Sequence, residues 1–115
     1  MTRTPRDIFQ HHAGALVAGD LDGILADYND DSVYITPRGE YRGLDEIRQA
    51  YVEFLAELPD AKLDVPRLVF EGDVLYLEWT AESPTVRVTD GTDTLVFRDD
   101  VIRVHTLHYT LEPVS

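Results

Sequence analysis

The sequence predicts a single α+β domain, with helices leading and a mostly antiparallel sheet following. Three observations carry this. Up to Pro59 the apolar residues recur at helical spacing, and each stretch opens at a capping residue or a glycine. Beyond Pro59 the apolar period changes to two, and β-branched and aromatic residues dominate. The later segments are separated by short turn signals, which suit strands that pair in succession. At 115 residues the chain can bury one core, not two.

The elements follow in order. Thr4 reads as an N-cap, Pro5 as the first helical residue and Asp7 as the returning acid of a capping box. This helix runs to about Ala18, with Ile8, His12, Ala15 and Leu16 on one stripe, and Gly19 ends it. Asp20 caps a second, short helix that turns Leu21, Ile24, Leu25 and Tyr28 inward. Asn29-Asp30-Asp31 makes an acidic turn, Val33 to Ile35 a short strand, and Pro37-Arg38-Gly39 a loop. Gly43 launches the third helix, whose seam is Leu44, Ile47, Tyr51, Phe54, Leu55 and Leu58, with Asp45 and Glu46 in the first turn. Leu63 to Phe70 reads as a strand disturbed at Pro66, hence an edge or a bulge. Val74 to Glu82 follows the turn Glu71-Gly72-Asp73. Thr85 to Arg98 is a long β segment broken at Asp90-Gly91, which fits either a hairpin turn or a bulge in one bent strand. Asp99-Asp100 turns into the last strand, Val101 to Leu111. Leu16, Ile24, Ile47, Phe54, Leu95 and Val104 are expected in the core.

Composition excludes several classes of function. Asp and Glu number 22 against 10 Lys and Arg, a net charge of −12. Such a surface repels phosphate backbones, so no nucleic acid and no membrane is expected as a partner. With no cysteine there is no thiol nucleophile and no thiolate metal site. The run Met-Thr-Arg-Thr-Pro-Arg has no apolar centre of the signal-peptide kind, and no apolar run is long enough to cross a bilayer. A cytoplasmic location is expected. No glycine-rich phosphate loop, Ser/His/Asp order or nucleotide fingerprint is found. His11 and His12 diverge by about 100° on a helix, and a strand cannot aim His105 and His108 at one ion. No metal or organic cofactor is expected.

The run Ala18 to Gly43, AGDLDGILADYNDDSVYITPRGEYRG, resembles the NTF2-like superfamily, in its branch of ketosteroid isomerases and SnoaL-like cyclases. The resemblance covers nearly the whole chain. It implies a cone-shaped sheet and three helices around a pocket for a small apolar molecule, and it favours the bent strand at Asp90-Gly91. Ketosteroid isomerases use an aspartate base with an oxyanion hole of a tyrosine and a protonated aspartic acid. Counting from AGDLDGI, His12 matches the hole's tyrosine, Thr36 the base and Asp93 the protonated aspartate. Tyr28 and Tyr51 match tyrosines that support the hole in some members. A threonine has no useful basicity near neutral pH, so steroid isomerisation is not expected. What remains is a histidine and a carboxylate in an apolar cone, with the imidazole able to give and take a proton. The two are expected to meet across the cavity.

Each candidate also has a plainer reading. His12 on an apolar stripe has the pattern of a satisfied core histidine. Asp93 turns inward only if Leu95 and Phe97, which share its strand parity, do so. Unbroken alternation puts Ile102, Val104, Thr106 and His108 on one face of the last strand, and Arg103, His105, Leu107 and Tyr109 on the other. By the resemblance the Val104 face lines the cavity. His108 is then a second inward histidine, and the His105 row a homodimer surface.

The catalytic candidates are thus His12, Asp93 and His108. The substrate-binding candidates are Tyr28, Thr36, Tyr51, Phe54, Trp79 and Val104, with Tyr34 and Tyr76 as further aromatics for the pocket. The implied activity is that of a cofactor-independent isomerase, cyclase or lyase acting on a small apolar carbonyl compound. The alternative is a non-catalytic NTF2-like module for ligand binding or dimerisation.

Overall fold

A computed structural model describes residues 3–114; the first two residues of the polar N-terminal run and Ser115 lie outside it. The elements are α1 (Pro5–Ala18), α2 (Leu21–Leu25), β1 (Val33–Thr36), β2 (Gly39–Arg42), α3 (Gly43–Glu57), β3 (Lys62–Glu71), β4 (Val74–Glu82), β5 (Val86–Arg98), β6 (Val101–His108) and β7 (Glu112–Pro113). The helices begin where the caps lie. Thr4 Oγ1 accepts from the Asp7 N–H at 3.1 Å and Asp7 Oδ2 from the Thr4 N–H at 3.0 Å, closing the capping box. Asp20 accepts from the Gly23 N–H at 3.0 Å at the start of α2. Gly19 ends α1 in the left-handed region, at φ 67°, where glycine has no Cβ to clash.

The sheet runs β2-β1-β6-β5-β4-β3, with β7 beside β5. Only β1 and β6 pair in parallel; the other strand pairs are antiparallel. One face is covered by the helices. Across that interface Tyr34 of β1 stacks on Tyr51 of α3 with ring centres 5.1 Å apart, and His12 of α1 meets His105 of β6 at 6.1 Å. The far end is closed where Phe9 meets Phe70 edge-on at 6.2 Å and Arg6 lies 4.3 Å over the same ring. Ile24, Ile47, Phe54 and Leu95 are buried, whereas Leu16 and Val104 are only half-buried.

Two strands depart from the sequence reading. The Pro37-Arg38-Gly39 segment is the turn of a hairpin rather than a free loop, with Thr36 opposite Gly39 and β2 continuing to Arg42. In β6 the register with β5 slips: Phe97 faces Ile102, but Val96 faces Val104, leaving Arg103 as an extra residue. Such a bulge reverses the alternation. Beyond it His105 and Leu107 point into the core, while Val104, Thr106 and His108 face out. The expected dimer row Arg103, His105, Leu107 and Tyr109 is therefore no outer surface: His105 is 2% and Leu107 8% exposed.

The segment broken at Asp90-Gly91 is one bent strand. Trp79 faces Gly91 and Ala81 faces Val88, so Thr89 and Asp90 oppose Thr80 alone, a bulge. Asp99 and Asp100, both at positive φ, form the two-residue turn of the β5–β6 hairpin.

Candidate functional site

Four elements and a turn send polar side chains into one buried chain of hydrogen bonds, which ends on the Trp79 indole of β4. His12 comes from α1, Tyr51 from α3, Tyr28 from the turn after α2, His105 from β6 and Asp93 from β5. His12 Nε2 lies 3.5 Å from the Tyr51 hydroxyl, Tyr51 lies 2.5 Å from the Tyr28 hydroxyl, and Tyr28 lies 2.8 Å from His105 Nδ1. His105 Nε2 then meets Asp93 Oδ2 at 2.5 Å, and Asp93 Oδ1 accepts from the Trp79 indole at 2.6 Å. Two arrangements of hydrogens fit this connectivity, one the reverse of the other. In the first, Asp93 accepts from His105 Nε2–H and His105 Nδ1 accepts from the Tyr28 hydroxyl. Tyr28 accepts from Tyr51, and Tyr51 from His12 Nε2–H. That leaves His12 Nδ1 as a lone-pair nitrogen. It is buried and has no partner among the described residues, a situation that costs about 1–3 kcal/mol.

The chain borders a cavity of about 160 Å³ between the helices and the sheet. His12, Tyr34, Tyr51, Asp93 and His105 supply its polar groups, and Phe9, Leu16, Phe54, Leu77, Trp79 and Leu95 are among its apolar walls. Val17 and Val65 also line it and are 76% and 41% exposed, which locates the mouth between the end of α1 and β3. Burial pushes His12 down to about 3, and the nearby His105 and His11 act in the same direction. His12 is thus a neutral imidazole at physiological pH. Burial also raises Tyr28, Tyr34 and Tyr51 well above the usual phenol range, so all three remain protonated hydroxyls.

A model of the SnoaL-like domain matches residues 9–105. The chain belongs to the SnoaL-like family. Solved structures carry the same fold at low identity. An NTF2-like protein of unknown function from Cytophaga hutchinsonii is 14% identical, with a TM-score of 0.77 over 96% of this chain and 93% of that one. A candidate ketosteroid isomerase from Kribbella flavida is 18% identical, with a TM-score of 0.77 over 96% and 80%. TerC, crystallised with polyporic acid, is 16% identical, with a TM-score of 0.78 over 93% and 92%. No curated protein matches the sequence.

Within this SnoaL-like cone, His12, Asp93, Tyr51, Phe54 and Trp79 all line the cavity, and Tyr28 stands behind it as a link between Tyr51 and His105. The ring in contact with Asp93 is His105, not His12; the hydrogen bonds from His12 reach Asp93 through Tyr51, Tyr28 and His105. Four expected residues do not reach the cavity: Tyr76, which sits beside Thr94 on the outer face of the sheet, and three others. His108 pairs with Thr92 on the outer face and is exposed, because the bulge at Arg103 reverses its parity. Val104 faces outward for the same reason. Thr36 closes the β1–β2 hairpin, where its Oγ1 accepts from the Arg38 N–H at 3.1 Å. His105 is the site residue that sequence reasoning missed. The signal for it was present in the apolar pattern, which changes parity between Ile102 and Leu107. Among the described residues no group of three or more His, Cys, Asp or Glu side chains is placed to hold a metal ion, and no helix is long and apolar enough to cross a membrane.

Proposed function

We propose that the protein is a cofactor-independent acid–base enzyme of the isomerase, cyclase or lyase type, acting on a small, largely apolar carbonyl compound. The observation that carries this reading is His12, which lines an apolar cavity and whose buried Nδ1 has no partner among the described residues. A structural histidine at this depth would have both ring nitrogens satisfied. In this reading His12 removes a proton next to the carbonyl. The Asp93–His105 pair, rather than a His12–Asp93 contact, supplies the carboxylate expected from the sequence. The size of the cavity narrows the substrate class. At about 160 Å³ it is close to the roughly 150 Å³ of engineered cavities that admit benzene. It suits a molecule of about one ring, and a fused-ring steroid is too large.

One observation favours the alternative of a non-catalytic binding module: the side-chain polar atoms of Asp93, His105 and Trp79 are all paired, with one another and with Tyr28. TerC binds a ligand in its crystal, which is compatible with either reading. A panel of single-ring ketones and enones, incubated with the protein in heavy water, separates the two. Uptake of deuterium next to the carbonyl is expected, with His12→Ala slowing it by on the order of 10²–10⁴, the usual worth of a positioned base. Chelators are expected to leave the rate unchanged. Binding without exchange across the panel would establish the module. Exchange that survives His12→Ala but stops with EDTA would overturn both the residue and the chemistry.

A further inference from the structure

We propose that the hydrogen-bonded chain is a proton relay: a proton accepted by His12 Nδ1 emerges as positive charge on His105, where Asp93 holds it. The proposal rests on the acid–base reading above and adds where the charge goes. A histidine held near 3 by its surroundings is a poor place to store a proton, yet it is the ring with the unpartnered nitrogen. The chain resolves this conflict. When a C–H bond of the bound molecule breaks, its electron pair stays on the molecule as an enolate and the proton binds His12 Nδ1. The Nε2 hydrogen of His12 passes to the Tyr51 oxygen, the Tyr51 hydrogen to Tyr28, and the Tyr28 hydrogen to His105 Nδ1. His12 ends neutral with its hydrogen on the other nitrogen. His105 ends as an imidazolium with hydrogen on both nitrogens, its Nε2–H on the Asp93 carboxylate. The substrate has lost one positive charge, His105 has gained one, and each tyrosine has exchanged one hydrogen for another.

The surroundings of the two rings favour this direction. His105 is faced by the Asp93 carboxylate on β5, by the Tyr28 hydroxyl, by the Tyr34 ring and by His12 on α1. Asp93 is the one carboxylate in hydrogen-bond contact with it. His12 is faced by Tyr51, Tyr28 and His105, with His11 next to it in sequence, and no carboxylate bonds to its ring. Charge is therefore more stable at the His105 end. The two tyrosines, held as neutral hydroxyls by burial, can each donate and accept at once, as a relay requires. The 3.5 Å link from His12 to Tyr51 is the longest, and it is the one a bound molecule pressing on His12 would shorten.

The relay can be read without any substrate, by NMR of the imidazole nitrogens in the whole chain, because their shifts report which nitrogen bears hydrogen. Near neutral pH His12 is expected as the Nε2–H form. On acidification the first of these two rings to gain a proton is expected to be His105. In the same titration step His12 should convert to the Nδ1–H form while staying neutral. Tyr28→Phe and Tyr51→Phe cut the chain at different links, so in each variant that keeps the native amide spectrum His105 should titrate while the His12 tautomer stays fixed.

Several results overturn the relay: His12 keeping its Nε2–H while His105 titrates, His12 becoming charged before His105, or His105 gaining no proton before the protein unfolds. A tautomer switch that persists in either folded variant does the same. If neither variant folds, the wild-type titration decides alone. Coupled titration with no turnover on any ketone would retain the relay and reject the enzyme, so the two readings fail separately.

Discussion

His12 is the residue at which burial, protonation and stability are linked. Its pKa falls from the ordinary imidazole value of 6.5 to about 3 in the fold, chiefly through burial. The unfolded chain therefore binds a proton at this position that the native chain refuses. Stability linked to it is fully present above about 6.5 and is lost as pH falls from there towards 3, with a slope of about 1.4 kcal/mol per pH unit. Urea melts of the wild type are expected to show this slope between neutral pH and pH 5, and His12→Leu to remove that one-proton part of it. A variant with an unchanged slope would mean that His12 is not held neutral in the native state. The position of His12 was legible in the sequence, because helical spacing from Ile8 fixes its side of α1. Its partner was not. Asp93 and His105 are brought together by strand register, which depends on side chains distant in the chain.

At the scale of elements, the turn of the β5 path depends on one glycine for a reason local sequence does not reveal. Gly91 has no positive φ among the described residues, so it is not there for a tight turn. Its partner across the sheet is Trp79, and a Cβ at Gly91 would lie only 2.3 Å from the indole. The ring packs directly against the glycine, and its N–H donates to Asp93. Gly91→Ala is expected to displace Trp79, with an overpacking cost of about 1–3 kcal/mol. Loss of the indole–carboxylate bond would appear as a change in fluorescence of the single tryptophan. Unchanged fluorescence and stability would show that the indole can lie elsewhere without cost.

The helices were readable because caps and apolar stripes are local: Thr4, Asp20, Gly19 and the Ile47–Tyr51–Phe54 seam act within a few residues of themselves. The hairpin at Thr36 and the bulge at Arg103 were not, since both are settled by pairing. An extra residue in β6 costs little locally and reverses every side chain after it. That single residue accounts for the misplacement of His105, His108 and Val104 together.

At the scale of the whole molecule, the reversed parity presents a different outer face from the one expected to dimerise. With His105 and Leu107 turned inward, the outer face carries a row of four valines across four strands. Val33 pairs with Val104, Val104 with Val96, and Val96 with Val74. The next row is Ile35, Thr106, Thr94 and Tyr76. The helices cover the opposite face, so these rows meet solvent in a lone chain, and Ile35 and Val74 are 38% and 37% exposed. A contiguous apolar face of this kind commonly marks a contact surface, and a standard interface removes about 800 Å² per partner. Two effects then compete. Burial of the valine rows favours pairing, whereas a net charge of −12 on each chain opposes it through long-range repulsion that salt screens over about 10 Å at 0.1 M. The apolar term acts at contact and is not weakened by salt, so added salt is expected to tighten the dimer. Sedimentation at micromolar concentration should show a dimer that strengthens with sodium chloride. Val96→Lys, at the centre of the row, should give a monomer that retains the native fold, because its side chain faces away from the cavity. A wild type that sediments only as a monomer at every salt concentration would leave the valine face without a second copy to cover it.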